Sequence, residues 1–460
     1  MIKQEIVDRI ISDVSILEVA ESEGIDFKSH KGNRHWACCP FHNENTPSFY
    51  VDTGTNCWRC FGACRSGGNV ISLYRKLKNG LPFPIACKEL AKKYLNEEIE
   101  DEWRPSKEEE EKQKEQESLR IALSYAQSYF TECIQEVNPA AIKAREAVCK
   151  RWGKDDIGTF GIGYAPVEGF IAWAKHKGLD FDILEQVGLI GTGERGMFPM
   201  LRDRYTIPIY DKMSRVIGFT ARTMSDNKDV CKYLNLKNSL VYRKDTSVFG
   251  INFAQKEARQ KDKFYLVEGA PDVLKLQSIG IFNTVASLGG SWTENQLKQL
   301  YRISKRVTFI PDADELKQGN EFPAGTANVF ANGRAALQVG FTVNVREIPI
   351  DYPAPKKEDP DSWIIDKGHF SQMREEEFVF WYCRRRYWAS PEDIEELTTE
   401  DRLEAISDIC SLLMMIRDED LQNSYLSTLI STYKHRREWM DTLKRAKVAE
   451  LSEKQEAERK

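Results

Sequence analysis

Cysteine and histidine residues near the N-terminus have the spacing of metal ligands. The pattern consists of a Cys-x-x-His pair and, about twenty residues later, a Cys-x-x-x-Cys pair: Cys39, His42, Cys60 and Cys64. Zinc prefers four soft or borderline ligands in a tetrahedron, and two short-range pairs supply them with little loop entropy. A lone buried cysteine commonly behaves as a small hydrophobic residue, but five cysteines between residues 38 and 64 favour a zinc site. The spacing leaves the ligand choice open, because Cys57 and Cys60 also form a Cys-x-x-Cys pair and Cys38 is unassigned.

A second group of chemically suited residues is acidic and follows segments that we predict to be strands. Glu268 and Asp272 come after FYLV, and Asp312 and Asp314 come after VTFI about forty residues later. In an open parallel sheet, the loops after the carboxyl ends of strands form the ligand crevice, so these acids can converge. One acid at a strand end is more often a helix cap, but clustered carboxylates need cations, and oxygen ligands of this kind suit Mg²⁺. Asp359 and Asp361, in an Asp-Pro-Asp motif after the strand FTVNVREI, supply a possible third acidic patch.

The segment from Lys212 to Lys244 is locally basic, with eight lysine and arginine residues against two aspartates. Such side chains neutralise phosphates and position a strand without reading its sequence. For any single lysine, an ordinary solvated face is the simpler interpretation. The segment as a whole favours a nucleic-acid surface.

Length and composition indicate a protein of several globular domains. At 460 residues, 41% hydrophobic and 30% charged, the chain has room for roughly two to four domains. Eleven cysteines, an odd number without an export signal, argue against a disulfide framework. No run approaches the roughly 20 apolar residues that cross a bilayer, so we expect a cytoplasmic protein with no membrane partner. The net charge of -5 excludes nothing, since nucleic-acid binding needs only a local basic face.

Helical and strand patterns divide the chain into five segments. Helices and strands alternate between about residues 119 and 370, which is typical of a parallel α/β sheet. We predict these segments in order: a metal-binding domain at 1–100, a charged linker at 101–118, a basic domain at 119–262, an acidic catalytic domain at 263–370 and a helical region at 371–460.

The cysteine-rich segment resembles a known family. CPFHNENTPSFYV followed by CFGACRSGGNVISL is similar to the N-terminal CHC2-type zinc ribbon of DnaG-type primases. The resemblance implies one structural zinc and leaves Cys38 and Cys57 as non-ligands. The ligands that it implies are Cys39, His42, Cys60 and Cys64.

The acidic segment resembles the TOPRIM domain shared by DnaG-type primases, some topoisomerases and certain nucleases. The matching sequences are VEGAPDVL, ASLGGSWTENQLKQL and IPDAD. This resemblance implies catalytic Mg²⁺, with Mn²⁺ as a substitute, held by Glu268, Asp312 and Asp314. Asp272 and Asp361 are supporting catalytic candidates.

The basic segment is similar to the N-terminal half of the primase RNA polymerase core. FGIGYAP, DRYTIPIYDKMSRVIGFTARTM and KYLNLKNSLVYRKDTSVFGI carry this likeness. The family motifs favour five nucleic-acid-binding positions: Arg151, Arg204, Arg222, Lys232 and Lys244.

Together these resemblances imply a multidomain α+β protein with a zinc ribbon, a mixed α/β core containing the TOPRIM parallel sheet, and a C-terminal helical segment. The implied activity is a DNA-dependent RNA polymerase that makes short primers from ribonucleoside triphosphates on a single-stranded DNA template. A replicative helicase is a further partner that the resemblance allows, but helicase activity in this chain is not expected, since it has no G-x-x-x-x-G-K-[ST] phosphate loop. Two alternatives stay open: a TOPRIM nuclease or topoisomerase, and a zinc-dependent single-stranded DNA-binding module with an inactive site.

Overall fold

The structure is a computed structural model that describes residues 2–459 apart from residues 3, 42, 43, 45, 63, 65, 79, 100–106, 195, 228 and 388–391. Its contacts divide the chain into two units, Met1–Lys112 and Gln113–Lys460. No helix of the described part is long and apolar enough to cross a membrane.

The first unit is a five-stranded antiparallel sheet with helices from both ends of the unit. Its elements are α1 (Gln4–Asp13), α2 (Ile16–Ser22), β1 (Ser29–Lys31), β2 (Arg34–Ala37), β3 (Phe49–Asp52), β4 (Cys57–Cys60), β5 (Gly67–Asn69), α3 (Val70–Leu77), α4 (Phe83–Leu90) and a π-helical turn at Ala91–Leu95. The strands pair in chain order. Ser15 caps α2 by accepting a hydrogen bond from the Glu18 backbone N–H.

The N-terminal part of the second unit contains a four-stranded antiparallel sheet in the order β11-β10-β9-β6 and a β7-β8 hairpin. Helix α5 spans the boundary between the units. The elements are α5 (Lys107–Cys133), α6 (Pro139–Arg151), α7 (Asp156–Phe160), β6 (Gly163–Ala165), α8 (Phe170–His176), α9 (Phe181–Gln186), β7 (Ile190–Gly193), β8 (Gly196–Pro199), β9 (Arg204–Tyr210), β10 (Val216–Thr223) and β11 (Tyr233–Asn235).

The rest of the second unit contains a five-stranded sheet in the order β13-β12-β14-β15-β16, followed by helices. Its elements are α10 (Ile251–Lys261), β12 (Phe264–Val267), α11 (Ala270–Ser278), β13 (Thr284–Ala286), α12 (Glu294–Tyr301), β14 (Arg306–Phe309), α13 (Ala324–Val339), β15 (Thr342–Arg346), α14 (Pro360–Trp363), α15 (Lys367–Gln372), β16 (Glu375–Glu377), α16 (Phe378–Arg386), α17 (Asp393–Glu396), α18 (Thr399–Met414), α19 (Glu419–Tyr433) and α20 (Arg436–Arg459).

Strands β12 to β15 are parallel and are covered on both faces. Val267 and Ile310 belong to a core shared with the four-stranded antiparallel sheet of the second unit. Leu266 and Phe309 belong to a second core shared with α13, α16 and the C-terminal helices. Burial on both faces explains why these strands read as nearly continuous apolar runs. The expected fold class, with a parallel sheet in a mixed α/β core and a helical C-terminal part, is confirmed.

One strand escaped sequence analysis. We expected a mostly helical region after residue 370, but β16 adds an antiparallel edge strand to the parallel sheet. Its residues are three glutamates, which have no apolar alternation to reveal a strand. Glu375 is held in place by the Lys263 ammonium and by the side-chain amide of Asn344. The domain boundaries at residues 100, 118, 262 and 370 stay predictions.

Candidate active site

The acidic residues lie where the chain order of the parallel sheet reverses. Strand β12 has β13 on one side and β14 on the other, and the crevice outside the carboxyl ends of strands at such a switch point is the usual ligand site of an open α/β sheet. Glu268 directly follows β12, and Asp312 lies three residues after β14. Topology therefore brings these two carboxylates to one edge.

Helix α13 fixes the loop that carries Asp312 and Asp314. The Gly325 backbone N–H, in the first turn of α13, donates a hydrogen bond of 2.8 Å to Oδ2 of Asp314. Gly325 is required for this approach, because a Cβ atom there would lie 2.4 Å from the carbonyl oxygen of Asp312. The helix N-terminus also favours the negative charge of Asp314.

Burial strongly disfavours the charged form of these acids. Burial raises the pKa of Glu268, and the charge of Asp314 adds to the rise. Burial and then the charge of Glu268 raise the pKa of Asp312 to about 7. Oε1 of Glu268 and Oδ1 of Asp312 are buried and receive no hydrogen bond from the part of the chain that the structure describes. Buried oxygens without donors are poorly satisfied unless a cation binds them.

A lysine that sequence analysis missed provides the one cation seen in direct contact with the Asp312 and Asp314 carboxylates among the described residues. Nζ of Lys357 lies 2.6 Å from Oδ2 of Asp312 and 2.9 Å from Oδ1 of Asp314. Burial opposes its charge, but these two carboxylates outweigh burial and raise the pKa of Lys357. Asp312 and Asp314, two of the three carboxylates in the Mg²⁺ site implied by the sequence, thus offer hard oxygen donors to one cation.

Asp272 has a different environment from the other acids. It is buried, and its two oxygens accept hydrogen bonds of 3.1 Å from the backbone N–H groups of Gly269 and Asp361. Burial, and then the charge of Asp312, raises the pKa of Asp272 well above its usual range. In this arrangement, Asp272 caps α11 and joins that helix to the turn at Asp361.

Asp361 points away from the carboxylate cluster and binds the end of α6. It forms an ion pair with the Arg151 guanidinium, and its Oδ1 accepts a 2.7 Å hydrogen bond from Nε1 of Trp152. Arg151 also donates to the hydroxyl groups of Tyr205 and Tyr233. Asp361 thus links the N-terminal half of the unit to the parallel sheet.

A cleft of about 340 Å³ opens beside the acids. Its lining includes the acids Glu268, Asp272 and Asp312 and the basic residues Arg151, Lys232 and Lys357. Mixed charges of this kind suit a phosphate-bearing ligand that arrives with a divalent cation.

The other basic positions predicted from the sequence lie elsewhere. Arg204 is buried, and its guanidinium donates to the carbonyl oxygen of Ala221 in the neighbouring strand. Arg222 is half-buried and donates to the Tyr205 hydroxyl beneath the cleft. Lys244 is exposed and is not among the residues that line the cleft. Of the five, Arg151 and Lys232 are the ones beside the acids.

The first unit brings three of the predicted zinc ligands together. The Sγ atoms of Cys39, Cys60 and Cys64 all lie within 4.8 Å of one another, and those of Cys39 and Cys64 are 3.6 Å apart. His42 lies outside the described residues. Burial raises the pKa of the Cys39 thiol to about 12, whereas hydrogen bonds from Ser66 and the other thiols outweigh burial and lower the pKa of Cys64 to about 6. Three sulfur donors converging in a partly buried site fit zinc.

The strand geometry also distinguishes Cys57 from Cys60. Both lie on β4, where burial alternates so that Cys60 is buried and Cys57 is exposed. Residues three apart on a strand point to opposite faces. Cys57 and Cys60 therefore cannot act as a local ligand pair, and Cys57 lies outside the thiol cluster.

Fold and site together define a class of protein: a zinc-ribbon unit followed by a Toprim-like sheet with clustered carboxylates. Family models match in the same order, as a CHC2 zinc finger at residues 2–105, a DNA primase catalytic core N-terminal domain at 140–255 and a Toprim-like domain at 265–364. The chain belongs to the DnaG-type primase family.

Individual relatives agree with this assignment. A DNA primase of Pseudomonas putida is 31% identical over 378 residues, which are 80% of this chain and 54% of the relative. The chain thus spans about half the length of that relative. The zinc-binding and RNA polymerase domains of the Aquifex aeolicus primase align with 93% of this chain and 97% of theirs, at 25% identity and a TM-score of 0.54. The DnaG primase catalytic domain bound to single-stranded DNA shares the fold over 69% of this chain and 96% of its own, at 24% identity and a TM-score of 0.56.

The contacts of Asp361 predict a loss of stability on substitution. Asp361→Asn should lower the free energy of unfolding by about 2–3 kcal/mol, because it leaves Arg151 without its charged partner. The cost is below that of a fully buried pair, since 20% of the Arg151 side chain is exposed. Unfolding in denaturant measures this change in the free energy of unfolding. Asp359→Asn is the matched control, because Asp359 caps α14 and asparagine caps equally well. A fully stable Asp361→Asn variant would instead favour a ligand role for Asp361.

Proposed function

We propose that this chain is a DNA primase, an RNA polymerase that makes short RNA primers on single-stranded DNA from ribonucleoside triphosphates. The observation that carries the proposal is the cleft that Glu268 and Asp312 line together with Arg151 and Lys232, with Asp314 joined to Asp312 through Lys357. Membership of the primase family supports it. A replicative helicase as partner rests on that membership alone.

The catalytic role of the chain is to position charge. Glu268, Asp312 and Asp314 would hold Mg²⁺, with Mn²⁺ as a substitute, and Asp272 and Asp361 would support them by fixing the surrounding turns. Bound Mg²⁺ would supply a Lewis acid that stabilises charge on phosphate oxygens and eases deprotonation of the attacking 3′-hydroxyl. Lys232 and Arg151 would orient the phosphates, since cationic side chains aimed at developing charge in a cleft contribute strongly to catalysis.

This proposal predicts the effect of neutralising the paired aspartates. Asp312→Asn and Asp314→Asn should each reduce primer synthesis by at least about a hundredfold, because an amide keeps the shape but removes the charge that holds the metal. Each variant leaves Lys357 one carboxylate partner and removes repulsion, so the thermal midpoint should not fall. The measurement is primer yield on mixed single-stranded DNA with labelled nucleotides at saturating Mg²⁺.

Asp366→Asn serves as the control for this experiment, because Asp366 is exposed and caps α15. Normal primer yield from both cluster variants would contradict the proposed active site. It would place the catalytic metal site on other residues, whereas a wild-type chain that makes no primers would favour the alternative of a DNA-binding module with an inactive Toprim-like domain.

Single-stranded DNA would be held through its phosphates by basic residues that line the cleft. Lys232 is one of them and is exposed, and the related catalytic domain bound to single-stranded DNA supports the same ligand for this chain. Arg222 and Lys244 are further proposed contacts on the same segment. Arg204 would support these contacts indirectly, because its buried guanidinium joins β9 to β10.

Lys232→Ala should weaken single-stranded DNA binding to a similar extent for all sequences. The slope of log affinity against log salt should fall by about 0.7, because one phosphate contact on a single strand is lost. Binding titrations between low and moderate salt measure the slope. Lys298→Ala is the control, since Lys298 is exposed on α12 and pairs with Glu294. Equal slopes for the two variants would place Lys232 on an ordinary solvated face.

The first unit would bind one structural zinc through Cys39, His42, Cys60 and Cys64. Closed four-ligand sites of this kind contribute directly to folding. The buried thiols lie beside Phe49 and Trp58 in the core of the unit. The proposed role is to hold the strands of this small sheet together.

Zinc analysis tests the ligand set. Cys60→Ser should lose the bound zinc and lower the thermal midpoint of the first unit, because serine is a poor zinc ligand. Cys57→Ser, on the opposite face of β4, should keep about one zinc per chain. The reverse result, with zinc lost from Cys57→Ser and kept by Cys60→Ser, would overturn the assignment.

A further inference from the structure

Lys357 lies in the position that the proposed metal site requires for its cation. Its ammonium bridges Asp312 and Asp314 at 2.6 and 2.9 Å. The two carboxylates are 8% and 12% exposed, whereas the Lys357 side chain is 54% exposed. The anions are fixed and enclosed, but the cation has an open path to solvent.

The backbone holds Lys357 next to the paired aspartates. Ala313 and Glu358 form a two-bond antiparallel bridge, with N···O distances of 2.8 and 2.9 Å. Ala313 lies between Asp312 and Asp314, and Glu358 follows Lys357 in sequence. The lysine backbone is therefore anchored beside the cluster, while its long side chain can move away without disturbing the fold.

An ammonium and a divalent cation cannot occupy this position together. Nζ of Lys357 already bridges the Asp312 and Asp314 carboxylates, and a divalent cation held by the same two carboxylates would be repelled by its like charge in a partly buried site. Mg²⁺ binds oxygen at roughly 2.1 Å, so a Mg²⁺ ion that bridges these carboxylates would crowd the space that Nζ now fills. Metal binding consequently requires that Lys357 leave.

The ammonium of Lys357, once displaced from the carboxylates, can bind phosphate in the cleft. Lys357 lines the same cleft as Arg151 and Lys232. A triphosphate that arrives with its cation brings phosphate oxygens into this cleft, and they can accept the released ammonium. A bare metal ion brings no such acceptor.

We propose that Lys357 is a tethered counterion that competes with the divalent cation and thereby makes metal binding depend on the nucleotide's phosphates. The inference rests on the proposed function, because it assigns the same carboxylates to the metal. It makes Lys357 a positioning residue rather than a catalytic one. In the metal-free protein, Lys357 neutralises the cluster; with metal and triphosphate bound, it contacts phosphate.

Binding of Mn²⁺ alone tests the competition without any measurement of primer synthesis. Lys357→Met should bind Mn²⁺ about tenfold more tightly than the wild-type chain, a change of about 1.4 kcal/mol. Titration followed by the electron paramagnetic resonance signal of free Mn²⁺ gives the affinity. Lys356→Met is the matched control, since Lys356 is the adjacent residue and pairs with Glu358 on the surface. It removes the same charge and should change the affinity by less than about twofold, as expected for an exposed charge.

A charge-retaining variant protects the test against a folding defect. Lys357→Arg should bind Mn²⁺ no more tightly than wild type, because the guanidinium can also bridge the two carboxylates. Thermal midpoints without metal establish that each variant is folded. Equal affinities of Lys357→Met and wild type, or equal gains in Lys357→Met and Lys356→Met, would overturn the proposal.

The second measurement concerns the coupling to phosphate. The affinity for Mn²⁺ alone is compared with that for the Mn²⁺ complex of a non-hydrolysable α,β-methylene ATP analogue. Wild type should prefer the complex by a larger factor than Lys357→Met does, by about tenfold, because only wild type has an ammonium to transfer to phosphate. The same preference in both proteins would overturn the coupling.

Asp312→Asn separates this inference from the function on which it rests. If that variant binds Mn²⁺ as wild type does, the carboxylates are not the metal site and the proposed active site fails. If it loses Mn²⁺ while Lys357→Met behaves as wild type, the active site stands and the role of Lys357 alone is refuted.

Discussion

Carboxylates at the edge of the parallel sheet at β12 and β14 can be charged together only if cations balance their charge. Glu268 and Asp312 are largely enclosed there, and burial raises the pKa of both. The penalty for leaving such groups charged and unpaired in a protein interior amounts to several kcal/mol each. The surrounding structure reflects this requirement, since Lys357 and the N-terminus of α13 both bring positive charge to the Asp312 to Asp314 loop. A site with this excess of negative charge favours ligands that arrive with cations.

The same balance of charge joins the two halves of the second unit. Asp361 follows the loop that carries Lys357, yet its carboxylate belongs to Arg151 and Trp152 at the end of α6. Arg151 in turn reaches the cleft and the hydroxyl groups of Tyr205 and Tyr233. Arg151, which lines the cleft, is thus oriented by an acid that follows the parallel sheet. This linkage gives a physical reason why the four-stranded antiparallel sheet and the five-stranded sheet share one continuous core.

Sequence alone was sufficient for the parts governed by local pattern. The apolar runs predicted β12 to β15, and the rule on carboxyl ends of strands brought Glu268, Asp312 and Asp314 to one edge. The sequence could not predict β16, because its three glutamates carry no strand signal and Glu375 is held by Lys263 and Asn344 from distant parts of the chain. Nor could it find Lys357, whose position depends on a bridge between Ala313 and Glu358, 45 residues apart. Contacts set by tertiary register leave no periodicity in a sequence.

The loop ELKQGNEFP, residues 315–323, joins Asp314 to α13 and shows how a surface loop can adjoin a charged site without forming part of it. Residues 315–321 are exposed, so this loop lies on the surface. Its two ends are brought together by the hydrogen bond from Gly325 to Asp314 and by the close approach of Gly325 to the Asp312 carbonyl. When the ends of a loop are fixed, added length costs only a logarithmic amount of entropy, about 0.6 kcal/mol for each doubling. The aspartates therefore keep their place against α13 whatever the loop contains, and the charge balance at the sheet edge is insulated from sequence change a few residues away.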